Sequence, residues 1–141
     1  MQEKEFERQN VFKRGAENTA YAQFFIGTSY LNPLTSPQNK PFFANVTFEP
    51  ACRNNWHIHR AEKGGGQILL CVAGEGWYQE YGKSARSLKA GDVVEIPANV
   101  KHWHGAKKDS WFSHIAVELS GENTSNEWLE PVSEEEYEKL S

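Results

Sequence analysis

The chain has 141 residues, enough to enclose one real core and too few for two domains of ordinary size. With 38% hydrophobic and 24% charged residues it is neither collagen-like nor wholly disordered, and a formal net charge of -4 argues against nucleic acid as main partner, because phosphate binding needs a basic surface. Two cysteines, Cys52 and Cys71, are too few for a disulfide scaffold.

Met1 to Gly15 is charged and lacks the apolar centre of a secretory signal. The longest apolar run, Ile68 to Ala73, is far too short to span a bilayer. A cytoplasmic protein without a membrane partner is therefore expected. Residues 1–19 read as an arm, 20–120 as the body, and 121–141 as an extension. Within the body, short apolar bursts bounded by Gly, Pro or Asn predict strands at Tyr21–Ile26, Phe42–Phe48, Arg53–His59, Gln67–Val72, Gly76–Tyr81, Val93–Ile96 and Trp111–Leu119. Their number and close spacing predict an all-β antiparallel sandwich or barrel. The helix signal lies near the C-terminus, where Ser133 and Glu136 form a capping box ahead of Tyr137 and Leu140. The triple glycine Gly64–Gly66 precedes neither a helix start nor a GKS or GKT, so it reads as a flexible loop rather than a phosphate cradle.

The five histidines fall in three places: His57 with His59, His102 with His104, and His114. Side chains alternate along a strand, so His57 and His59 share a face, and His102 and His104 share one if that segment is extended. In the last strand His114 lies with Phe112, Ala116 and Glu118. Three pieces of chain can thus aim imidazoles into one space. A His-x-His pair on a strand suits a divalent metal, because imidazole nitrogen binds zinc, iron, copper, nickel and manganese. Spacing alone leaves open that these are ordinary half-buried histidines.

The frame around the pair is more specific. Six residues separate Gln67 from Gly74, and Gly91, Pro97 and His102 follow at spacings of five and four. Here the sequence resembles the cupin superfamily, with its motifs Gly-x(5)-His-x-His-x(3,4)-Glu-x(6)-Gly and Gly-x(5)-Pro-x-Gly-x(2)-His-x(3)-Asn, over roughly residues 20 to 120. The resemblance implies a double-stranded β-helix, or jelly-roll barrel, with a metal in its mouth. The family's acidic ligand position is Gln67 here, and seven residues rather than three or four separate it from His59. Glu62 is a rival ligand but precedes the glycine loop instead of opening a strand. Ala51 and Asn99 stand at family glycines, and Ala106 stands at the final Asn.

The runs VTFEP, GEGWYQE, GDVVEIPANVKHWHGA and NEWLEPV are similar to single-domain bacterial cupins that include manganese-dependent hydroxynitrile lyases. That resemblance implies metal ligands His57, His59, Gln67 and His102, catalytic His104 and His114, and a pocket lined by Ala44, Val46 and Glu118. It implies one divalent ion, manganese first and iron, zinc, nickel or cobalt as alternatives, a small-molecule substrate and a homodimer. Three neutral imidazoles and a neutral amide oxygen would leave the ion its full charge and make it a stronger Lewis acid. His104 and His114 read either as proton carriers or as groups that orient ligands. Glu118 stands where the lyases lead one to expect glutamine, and its carboxylate is expected to alter pocket charge and the proton affinity of His114. The competing readings are an iron-dependent dioxygenase and a binding module without turnover. Trp56 and Trp103 should turn away from the histidines, and Cys71 should be a small buried hydrophobe.

Overall fold

The computed structural model describes residues 2–140; residues 1 and 141, the outermost ends of the predicted arm and extension, lie outside them. In chain order the elements are α1 (Glu3–Gln9), β1 (Ala16–Glu17), a 3-10 turn (Ala22–Phe24), β2 (Phe25–Ile26), β3 (Ser29–Pro33), β4 (Phe42–Phe48), β5 (Arg53–Asn54), β6 (His57–Arg60), β7 (Lys63–Gly64), β8 (Gln67–Glu80), β9 (Arg86–Lys89), β10 (Val93–Ile96), β11 (His102–Ala106), β12 (Phe112–Glu118), β13 (Gly121–Glu122), β14 (Ser125–Trp128) and α2 (Glu134–Glu138). The strand pairs are antiparallel and curl into a half-barrel of the expected all-β kind, with β1-β3-β4-β12-β8-β11-β5-β2 as its main path.

The pairing explains where the sequence pattern was exact and where it broke. Phe42–Phe48 and Val93–Ile96 form strands over the predicted spans, and β10 alternates exposed and buried residues along its length. Gln67–Val72 and Gly76–Tyr81, read as two strands, are one strand that changes partners. Its first half pairs with β12 and β10, its second with β11 and β9. The change falls at Gly74, where φ is 72° and an added Cβ would sit 1.8 Å from the Trp111 carbonyl oxygen. Arg53–His59 is instead split into β5 and β6, because Asn55 N–H donates to Phe24 O and Trp56 N–H to Glu130 O, outside the ladder. Of the predicted strand Tyr21–Ile26 only Phe25–Ile26 is strand, and Ala22–Phe24 is the 3-10 turn. Ala51 and Asn99, at the two glycine positions of the resemblance, keep left-handed backbones with φ of 70° and 69°.

Both ends of the chain pack on the barrel. Phe6 of α1 is buried and stacks on Trp111 at 5.6 Å between ring centroids. Behind β4 and β12, Asn10, Asn45, Thr47 and Ser113 form a buried hydrogen-bonded cluster that ties the arm down. At the other end Ser133 caps α2 by accepting from Glu136 N–H, as predicted. The buried Arg53 guanidinium donates to Val132 O and Glu134 and lies 4.1 Å from the Tyr137 ring centroid. Trp56, Trp77 and Trp103 pack with Val132 and Tyr137, so Trp56 and Trp103 bury against the C-terminal segment. Cys52 and Cys71 are free thiols in the main core, their pKa values pushed up to about 12 chiefly by burial, which leaves them as inert apolar groups. Among the described residues no helix is long and apolar enough to cross a membrane.

Candidate metal centre

Four strands bring the five histidines and Gln67 together, and all of them except the fully buried His102 line one cavity of about 330 Å³. β6 carries His57 and His59, β11 carries His102 and His104, β12 carries His114, and Gln67 opens β8. His102 stands opposite His57 in the β11–β6 ladder, and their ring centroids are 4.2 Å apart. His59 lies 5.1 Å from each of them. In the β12–β8 ladder a register shift between Ser113 and His114 skips Val72, a local bulge of the kind that re-aims a side chain.

Hydrogen bonding divides the five rings into two groups. His57 Nδ1 donates to Asn55 O at 2.8 Å, His102 Nδ1 to Val100 O at 2.9 Å, and His59 Nδ1 to Asn126 Oδ1 at 2.8 Å. A carbonyl oxygen can only accept, so each ring carries its proton on Nδ1 and offers the lone pair of Nε2. That is how metal-binding imidazoles are usually held. His59 Nε2, Gln67 Oε1 and His102 Nε2 are buried without a hydrogen-bond partner; among the described residues the other such atoms are Asn18 Oδ1 and His114 Nδ1. Leaving buried acceptors unmatched costs about 1–3 kcal/mol each, and a cation in their midst would offset that cost.

By distance alone His104 competes with His59, since ligand-capable atoms of His57, His102 and His104 lie within 4.8 Å of one another. The hydrogen bonds separate them. His104 Nδ1 is 3.1 Å from His114 Nε2, and the Asn54 amide nitrogen lies 3.4 and 3.3 Å from its two ring nitrogens. Asn54 Oδ1 also accepts from His104 N–H, so one side chain fixes both the backbone and the ring of His104. Burial disfavours the imidazolium at His57, His102, His104 and His114. It lowers the pKa of His102 to about 4 and that of His114 to about 3, and holds His57 and His104 well below 6.5, with neighbouring imidazoles adding to the effect at the latter two.

Ala44 and Val46 line the cavity and stand opposite Ala116 and His114 in the β4–β12 ladder. Glu118 lines it at the mouth, where Lys40 meets its carboxylate at 3.0 Å. The expected influence of Glu118 on His114 is not among the forces acting on that ring, where burial dominates. Glu62, the rival ligand, is exposed and accepts from Asn123. Phe25, Leu31, Phe42 and Trp128 make the remaining wall largely apolar.

Asn54, Asn126 and Trp128 line the cavity and were missed. Trp128 stacks on His57 with centroids 4.6 Å apart, and Phe24 stacks on Trp128 at the same separation. Asn126 and Trp128 sit two apart on β14, directly opposite His59 and His57. The alternation Asn126, Glu127, Trp128 ahead of Pro131 is the signal that could have found this strand.

A curled antiparallel half-barrel with histidines from three strands in its mouth defines a class of protein. The chain belongs to the cupin family, whose cupin domain matches residues 44–117. Within it, the chain is similar to the (R)-mandelonitrile lyase of Granulicella tundricola, at 36% identity over 118 residues, 82% of this chain and 87% of that protein. It is also similar to a cupin-like protein from Thermotoga maritima whose crystal structure superposes with a TM-score of 0.82, at 42% identity over 93% of this chain and 96% of that one. The DMSP lyase DddQ from Ruegeria pomeroyi shares the fold, with a TM-score of 0.60, 20% identity and coverage of 83% and 57%.

Proposed function

We propose that the protein is a metal-dependent lyase that cleaves a cyanohydrin to a carbonyl compound and cyanide, with His57, His59, Gln67 and His102 as metal ligands. The reading is carried by one observation: the buried acceptors His59 Nε2, Gln67 Oε1 and His102 Nε2 lack partners, and each of the three rings is anchored at Nδ1 by an oxygen. The relationship to an (R)-mandelonitrile lyase supports it independently. An all-neutral nitrogen and oxygen donor set fits manganese and also accepts iron, zinc, nickel or cobalt. A divalent ion bound there would supply Lewis-acid polarisation of a hydroxyl or carbonyl oxygen.

The remaining chemistry belongs to the chain. His104, kept neutral by burial, has a basic nitrogen available at neutral pH and takes the hydroxyl proton of the substrate. As the O–H pair becomes the carbonyl π bond, the bond to the nitrile carbon breaks and its electrons leave with cyanide. The 3.1 Å contact from His104 Nδ1 to His114 Nε2 lets the pair share the acquired positive charge. Because burial makes both imidazoliums strong acids, the proton returns readily to the departing cyanide, giving hydrogen cyanide and leaving both rings neutral. Phe25, Phe42 and Trp128 offer an apolar wall for the carbonyl substituent and exclude water.

Benzaldehyde release from mandelonitrile at mildly acidic pH, measured for manganese-loaded protein and for His102→Ala, tests the reading. Turnover confined to the parent protein is expected; equal rates in the two would overturn it. Metal analysis of protein purified without chelators separates it from the oxygenase alternative, which requires iron and substrate-dependent oxygen uptake.

A further inference from the structure

His57 and His102 take their Nδ1 anchors from main-chain carbonyls two residues earlier on their own segments, Asn55 O and Val100 O. Those anchors come with the fold of the barrel. His59 differs: its Nδ1 donates to a side chain, Asn126 Oδ1, sixty-seven positions along the chain. Asn126 stands directly opposite His59 in the β14–β6 ladder, where cross-strand side chains on one face meet.

We infer that Asn126 is a positioning residue for His59, so that docking of the C-terminal strand Ser125–Trp128 completes the metal centre. The inference rests on the metal reading above. The amide oxygen of Asn126 fixes the tautomer and aim of the His59 ring, holding the proton on Nδ1 and the buried lone pair of Nε2 toward the cavity. The same strand stacks Trp128 on His57 at 4.6 Å, so both residues of the His-x-His pair receive a cross-strand partner from it. Glu127, between these two residues, does not line the cavity and instead bridges to Arg60 at 2.8 Å with both side chains about half exposed. Glu127 therefore separates docking of the strand from anchoring of the ring.

Manganese affinity, measured by competition with a chromophoric chelator, and the melting temperature of metal-free protein should be compared in the parent, Asn126→Ala, Asn126→Asp and Glu127→Ala. Loss of an outer partner to a ligating imidazole weakens metal binding about 10–100-fold, and that loss is expected for Asn126→Ala. Asn126→Asp, which keeps an accepting oxygen and adds charge, should bind at least as tightly as the parent. Glu127→Ala should leave affinity unchanged. Parent-like affinity in Asn126→Ala, or an equal weakening in Glu127→Ala, would overturn the role of Asn126 while leaving the metal reading intact. A parent protein that binds no manganese or other divalent ion would overturn both.

Discussion

His57, His59 and His102 are each tied at Nδ1 to a carbonyl oxygen, whereas His104 and His114, a few ångströms away, are tied to one another. A ring whose proton is fixed by an oxygen presents one lone pair in one direction, which suits holding a cation. Two rings that share a single hydrogen bond can exchange its proton, which suits moving one. The difference lies in the neighbours each segment supplies. The segments leading into β6 and β11 turn the Asn55 and Val100 carbonyls toward His57 and His102, while Asn54 and the bulge at Ser113–His114 set His104 and His114 face to edge at 4.7 Å.

The comparison breaks most visibly if the two groups respond alike to substitution. His57→Ala should abolish both metal retention and cyanohydrin cleavage, an effect larger than the about 10–100-fold attached to outer partners. Metal content by mass spectrometry and benzaldehyde release check it together. By contrast, His114→Ala should keep the parent's metal content and lose about 10²–10⁴-fold in kcat. The double variant His104→Ala/His114→Ala should then be little worse than either single one, since groups acting as a unit are not additive.

A smaller effect sharpens the comparison through stability. The unfolded chain carries histidines near their ordinary value of 6.5, whereas burial holds His102 at about 4 and His114 at about 3. Above pH 6.5 both states are neutral and these groups contribute no pH dependence. Below it the unfolded chain takes up protons that the folded chain refuses, so stability falls as pH falls, by about 1.4 kcal/mol per pH unit for each such histidine. For His102 the decline runs down to about pH 4 and for His114 to about pH 3. Urea midpoints of metal-free protein between pH 7 and 5 should show this slope, and His114→Leu should make it shallower by one histidine's share. The smallest effect belongs to the mouth: Glu118→Gln removes an ion pair between side chains 40% and 37% exposed, and should change stability by less than about 1 kcal/mol without altering metal content.

The barrel was legible because its evidence is local. β10 shows its alternation in four residues, and the glycine at position 74 marked a real change of partner even though the backbone runs on through it. The shared face of His57 and His59 followed from strand parity and survived the break at Asn55 and Trp56, since both side chains line the cavity. The division of labour among the histidines was less legible. Asn54 reads as one polar residue among several, and nothing local says that its amide meets a ring fifty positions on. Trp128 and Asn126 lie in a segment that looked like an extension to the barrel, yet β14 pairs with β6 through four consecutive residues. α1 carries a single buried apolar residue, Phe6, too little for a periodic signal; only Glu3 and Glu5 early and Arg8 late matched the helix dipole.

The anomalous difference map of a crystal of manganese-loaded protein bears most directly on the division between the two groups. The account predicts one peak at bonding distance from Nε2 of His57, His59 and His102 and from Oε1 of Gln67, with His104 still hydrogen-bonded to His114. A peak bonded to His104, with His59 outside the coordination shell, would contradict it.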